Sequence, residues 1–183
     1  MVLNFPIQRA GRILRSGGIV AYPTEGVFGL GCLPDDADAV IRILSIKKRS
    51  PAAGLLLIAS RIEQLEGWAE LIEAASLKST LERPVTWIVP ASINVPYWIK
   101  GEHRDLAVRI TAHPVAAALC DLVDSPLVST SANIAGSAPA RSAFVLRRRF
   151  GRLVDCIVPG RCGPATGPSE IRDLKSGKVI RTA

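Results

Sequence analysis

Groups that hold metals and groups that stack on bases are both scarce in this chain. Its two histidines, His103 and His113, and its four cysteines, Cys32, Cys120, Cys156 and Cys162, form no CxxC pair and no zinc spacing. The cysteines therefore read as buried, reduced thiols packing as small hydrophobes, in a cytoplasmic protein without a metal site of its own. Aromatic residues make up only 5% of the sequence. With no RNP-like aromatic motif, a stacking platform for single strands has little material. No apolar run approaches the roughly 18 residues of a membrane span, so no membrane partner is expected. Met1 to Gly18 carries Arg9, Arg12 and Arg15 among spaced apolar residues and reads as mature sequence rather than a secretion signal.

Familiar phosphate and nucleophile motifs are missing too. No GxxxxGK[ST] and no GxSxG occurs, which excludes a P-loop protein and argues against an α/β-hydrolase. Phe28-Gly29-Leu30-Gly31 begins like a dinucleotide fingerprint, but Pro34 stands in place of the third glycine. A tight turn is the expected role of those glycines.

Of the 183 residues, 48% are hydrophobic and 21% charged, enough for one domain over residues 1–183 with a sizeable core. The formal net charge of +7 attracts polyanions: nucleotide phosphates, RNA or an anionic surface. Helices are expected over Pro6–Ser16, from a cap at Asp35 or Asp36 through the face Ala37, Val40, Ile41 and Leu44, over His113–Val123, and over Arg141–Phe150. Two short helices are expected within Ile62–Leu81. Strands are expected at Ile19–Tyr22, Gly54–Ala59, Pro84–Val89, Leu106–Thr111, Leu127–Ser129, Val154–Val158, Ser169–Ile171 and Val179–Arg181. This order fits an α/β (α+β type) fold, a twisted mixed sheet flanked by helices.

Three polar segments lie at the ends of these elements, where open α/β sheets form ligand clefts. Tyr22-Pro23-Thr24-Glu25-Gly26 is either a capped turn or a polar cleft wall. Lys47-Lys48-Arg49, at a helix end, is either a solvated terminus favoured by the helix dipole or a phosphate clamp. Ser129-Thr130-Ser131-Ala132-Asn133 follows a strand as an ordinary loop or as a set of ligand-orienting groups. Arg109, inside an apolar strand, must either meet a protein carboxylate or hold the acid group of a ligand.

Taken in order, these segments resemble the YrdC/TsaC family of threonylcarbamoyl-AMP synthases. The resemblance rests on the YPTE of Tyr22–Glu25 with Gly29–Cys32, the KxR of Lys47 and Arg49, and the AVR of Ala107–Arg109. It continues through the STSAN of Ser129–Asn133, Pro168–Asp173 and Val179–Arg181. It spans nearly the whole chain and looks like the single-domain TsaC branch. It implies a YrdC-like sheet around a basic concave cleft. It also implies the condensation of L-threonine, bicarbonate or CO₂, and ATP with Mg²⁺ into L-threonylcarbamoyl-adenylate and pyrophosphate. A downstream tRNA threonylcarbamoyl transferase complex then modifies adenosine 37. By resemblance, Lys47, Arg49, Ser131 and Asn133 surround the nucleotide and act in catalysis, with Arg181 near the nucleotide. Thr24, Arg109, Ser129 and Ser169 surround the threonine, and Mg²⁺ is expected through the ATP phosphates.

Three departures from the family pattern bear on affinity. Ala53 stands where a second cation is common, leaving Lys48 to compensate; Gly26 replaces a threonine, and Ile58 a polar residue. The competing reading is a non-catalytic module for tRNA, rRNA or double-stranded RNA. It would use Arg141, Arg147-Arg148-Arg149 and Arg152 along a phosphate backbone, although a solvated helix face explains the arginine run equally simply. A carbamoyl-adenylate enzyme of hydrogenase maturation would need zinc-finger and acylphosphatase parts that this sequence does not supply.

Overall fold

Alternation along Val20-Ala21-Tyr22 sends side chains to opposite sides of a sheet, and both sides are covered by helices. The computed structural model describes residues 5–70, 77, 79–134 and 136–182. Helix α1 (Phe5–Arg15) leads to strands β1 (Val20–Pro23) and β2 (Phe28–Cys32), then α2 (Ala37–Lys47) and β3 (Leu56–Ala59). Next come β4 (Val85–Pro90), α3 (Tyr97–Lys100), β5 (Asp105–Ile110), α4 (Pro114–Val123) and β6 (Leu127–Ser131). The chain closes with α5 (Ala143–Phe150), β7 (Cys156–Ile157), β8 (Glu170–Asp173) and β9 (Val179–Arg181).

These strands form one mixed sheet in the order β7-β1-β2-β6-β3-β5-β4-β8-β9. Ala10 and Leu14 of α1 and Ala116, Leu119 and Cys120 of α4 pack on Val20, Tyr22, Ile58 and Leu127. On the other face Val40, Ile43 and Leu44 of α2, with Leu146 and Phe150 of α5, meet Ala21, Phe28 and Leu30. Each fully buried side chain of this size contributes about 2 kcal/mol of transfer free energy, so two such layers hold the sheet firmly. Among the described residues no helix is long and apolar enough to cross a membrane.

Several expectations need correction. Phe28–Gly31 is not a tight turn but the central strand β2, paired with β1 and β6. Its glycines are required by packing: a Cβ on Gly31 would sit 2.5 Å from the Val128 carbonyl oxygen and 2.7 Å from the Tyr22 hydroxyl. Ile41 is exposed, and α2 turns Ala39, Val40, Ile43 and Leu44 inward instead. Asp36 is the cap of α2, accepting from the Ala39 amide at 2.9 Å. Of the two short helices expected within Ile62–Leu81, the first is a 3-10 turn at Ile62–Leu65, and the rest of that expectation falls on 71–76 and 78, outside the described residues. Helix α3 was not expected from the pattern, because four residues are too few to show a period. Three thiols are buried as expected, but Cys162 is only partly so. Burial pushes the Cys120 thiol up to about 12, keeping it an unreactive packing group.

Gly31→Ala should lower the unfolding free energy by about 2 kcal/mol or more, because the backbone oxygen it meets cannot rotate away. Urea unfolding measures this, and a wild-type midpoint would show that the close approach is not real.

Candidate active site

The register of the strands gathers polar side chains at one place. Arg109 on β5 lies opposite Thr86 on the antiparallel β4, and Thr86 in turn lies opposite Ile171 of β8, which faces Arg181 of β9. On the other side, Ser129 and Ser131 of β6 lie opposite Gly31 and Gly29. The turn after β1 adds Thr24 and Glu25. Together these residues line a cavity of about 660 Å³. Its lining includes the cationic side chains of Arg49, Lys100, Arg104, Arg109 and Arg181 against the carboxylates of Glu25 and Asp105.

Arg109 is the best-supported group. Its Nε and Nη2 donate to Thr86 Oγ1 at 3.2 and 2.8 Å, and its Nη1 meets Glu25 Oε2 at 3.4 Å. Glu25, only 1% exposed, also accepts from Thr111 Oγ1 at 2.6 Å and the Ala112 amide at 3.1 Å. Burial pushes the guanidinium below its ordinary value, and Glu25 works against that shift. Of the two alternatives left open by the sequence the first is met, since Arg109 pairs with a protein carboxylate, and the same side chain also lines the cavity. A guanidinium carries five N–H groups. Among the described residues, one N–H on each terminal nitrogen remains for a ligand.

The end of α2 supplies a second cluster. Lys48, in the left-handed conformation at φ 50°, caps the helix and turns the chain so that Arg49 reaches the cavity. Arg49 Nη2 donates to the carbonyls of Ala53 at 3.1 Å and Gly54 at 2.8 Å, and burial pushes its guanidinium down. Lys47 points elsewhere. Its Nζ donates to Ser131 O at 2.5 Å and to Asn133 Oδ1 at 2.7 Å, and Ser131 Oγ donates to Asn133 Oδ1 at 2.6 Å. Asn133 Nδ2 closes the turn on Ser137 O at 2.9 Å. Lys47 and Asn133 therefore stand behind the cavity wall and fix Ser131, which lines it.

The remaining expected residues fall into place around these two clusters. Thr24 Oγ1 donates to Val27 O at 2.8 Å, so its lone pairs face outward while its proton closes the turn. Ser129 sits beside Gly29, whose missing Cβ leaves room between Thr24 and Ser129. Ser169 pairs with Thr86, and Arg181 Nη2 donates to Ser169 O at 2.8 Å. Lys48 does not line the cavity and so does not stand in for Ala53. Lys100, His103 and Arg104, unassigned from sequence, do line it. Gly26 has a packing cause, since a Cβ there would meet Ala165 O at 2.8 Å. Ile58 is core beneath Tyr22. Glu25, read from sequence only as part of a capped turn or polar cleft wall, is the carboxylate partner of Arg109. Thr86 and Thr111 were missed; a polar residue at an inward strand position was the available signal.

The sequence and the fold both have known relatives. Residues 12–183 match the Sua5/YciO/YrdC family, described as "Telomere recombination". The chain belongs to that family. A threonylcarbamoyl-AMP synthase from Nitrosococcus oceani is 50% identical over 97% of this chain and 98% of its own length. One from Halorhodospira halophila is 48% identical over 97% and 94%. The solved Sua5 of P. abyssi complexed with L-threonine superposes with a TM-score of 0.86 at 33% identity, covering 96% of this chain and 53% of that one. The chain thus spans about half the length of that solved relative. Among the described residues no cluster of three or more His, Cys, Asp or Glu could hold a metal.

Burial, with Arg49 as a second cause, lowers the Lys47 ammonium to about 8. A lysine held below its ordinary 10.5 in the folded state loses its proton there first. Its contribution to stability therefore rises with pH between about 8 and 10.5, where only the unfolded chain keeps the proton. Urea unfolding across that range should show wild type gaining on Lys47→Met as pH climbs. A constant difference would mean that Lys47 is not buried against Ser131.

Proposed function

We propose that this chain, as one YrdC-like domain, is a threonylcarbamoyl-AMP synthase acting in the cytoplasm. It condenses L-threonine, bicarbonate and MgATP into L-threonylcarbamoyl-adenylate and pyrophosphate, for transfer to tRNA by a downstream threonylcarbamoyl transferase complex. The carrying observation is that Arg109, with two N–H groups left over, and Arg49 share one cavity. The names of the near-full-length relatives, and the L-threonine in the P. abyssi Sua5, support the reading.

In this mechanism the threonine carboxylate sits on the free edge of Arg109, and Ser129 and the lone pairs of Thr24 face its polar groups. Bicarbonate loses its hydroxyl to give CO₂, the threonine amine adds to that carbon to form an N–C bond, and the proton the amine loses leaves with the hydroxyl as water. A carbamate oxygen then attacks the α-phosphorus of ATP, the bond to the β-phosphate bridging oxygen breaks, and pyrophosphate leaves. No protein nucleophile is needed. Two anions must be held side by side, and growing charge on the leaving phosphates must be offset. Arg49 and Arg181 supply that charge, and Ser131, braced by Lys47 and Asn133, orients phosphoryl oxygens. Mg²⁺ enters with the triphosphate as part of the substrate.

The arginines of α5 argue less well for a non-catalytic RNA module. Arg147, Arg148 and Arg149 lie on an exposed helix end outside the cavity lining, and Arg149 already donates to Ala138 O at 2.7 Å. That reading is not favoured.

With ATP, Mg²⁺, bicarbonate and labelled threonine, wild type should form the adenylate and release pyrophosphate in equal amounts. Arg49→Ala should form it about 10²-fold more slowly while binding threonine normally. An undiminished rate in that variant, or tight ATP-independent tRNA binding by a wild type that releases no pyrophosphate, would overturn the assignment.

A further inference from the structure

Three contacts converge on one hydroxyl and fix the direction of its hydrogen bonds. Thr86 Oγ1 receives Arg109 Nε–H at 3.2 Å and Nη2–H at 2.8 Å, and it lies 2.9 Å from Ser169 Oγ. A guanidinium only donates, and a hydroxyl oxygen has two lone pairs and one hydrogen. With both lone pairs taken by Arg109, the Thr86 hydrogen goes to Ser169. Ser169 Oγ is then an acceptor toward Thr86, and its own hydrogen is free.

That hydrogen has one useful direction. Ser169 lines the cavity, while Arg181 holds its carbonyl at 2.8 Å. Thr86 is only 3% exposed and Ser169 9%, so water competes weakly for either group. Glu25, itself held by the Thr111 hydroxyl, accepts from Arg109 Nη1 and so opposes the guanidinium's swinging away from Thr86.

We propose that Thr86 is a positioning residue that makes Ser169 a hydrogen-bond donor toward the ligand's carboxylate. The relay runs from Arg109 through Thr86 to Ser169. It presents a hydroxyl hydrogen and the remaining guanidinium N–H groups to one acid group, and it disfavours a ligand amide, whose NH₂ meets donors. This rests on the reading that Arg109 receives the carboxylate of threonine.

The test is titration calorimetry of the full chain with L-threonine, L-threoninamide and ATP, for wild type, Thr86→Val, Thr86→Ser, Ser169→Ala and the Val/Ala double variant. Thr86→Val should raise the Kd for L-threonine about tenfold, the scale of one lost buried hydrogen bond, and leave the Kd for ATP unchanged. It should also narrow the preference for threonine over threoninamide. Thr86→Ser, which keeps the hydroxyl, should bind threonine as wild type does. Ser169→Ala should weaken threonine like Thr86→Val, and the double variant should be little worse than either, because Thr86 acts only by orienting the Ser169 hydroxyl that Ser169→Ala removes. Equal losses for ATP and threonine, a Ser variant as poor as the Val variant, or additive single effects would overturn the relay. Wild type that binds threonine yet makes no adenylate would overturn the functional reading alone. Wild type that binds no threonine would overturn both.

Discussion

A positive charge placed in the middle of an apolar sheet is the constraint around which this protein is arranged. Arg109 sits on β5 between the largely apolar strands β3 and β4, and removing it from water without partners would cost several kcal/mol. Its partners come from distant parts of the chain: Glu25 is 84 positions away and Thr86 is 23. Satisfying one guanidinium therefore ties the turn after β1 to β4 and β5. Since the protein uses only part of the guanidinium's hydrogen-bonding capacity, the same group that demands partners can hold a ligand.

The second cluster is built on a different principle. At the end of α2 the left-handed residue Lys48 separates two neighbouring cations. Lys47 turns into the wall to brace Ser131 and Asn133, and Arg49 reaches the cavity. One cation contributes rigidity and the other charge. A cavity-wall serine held by a buried ammonium is fixed before any ligand arrives, the kind of preorganisation from which electrostatic stabilisation gains most. Arg109 on β5 and Ser131 on β6 flank β3, so the two clusters reach one cavity from neighbouring strands without sharing a side chain.

Much of this was legible in the residues. The long amphipathic helices and the apolar strands showed themselves by period, and seven expected site residues line one cavity. What failed to show was local strand character where glycine replaces a β-former, as in β2, and helices too short to reveal a period, as in α3. The exposed Ile41 shows the same limit: three apolar positions in α2 compete for the inward face, and only the docking angle of the helix chooses among them.

By itself the sequence determined which chemistry was available: an arginine inside an apolar strand, a KxR at a helix end, short hydroxyls after a strand, and no metal or nucleophile motif. Those are properties of residue type and near spacing. Tertiary structure alone decided that Lys47 braces the wall while Arg49 faces the cavity, that Glu25 and Thr86 grip Arg109, and that Gly26 and Gly31 admit backbone oxygens. Each depends on atoms that only the folded chain, through strand pairing, helix docking and loop closure, brings within about 3 Å, the range in which hydrogen bonds and steric exclusion act.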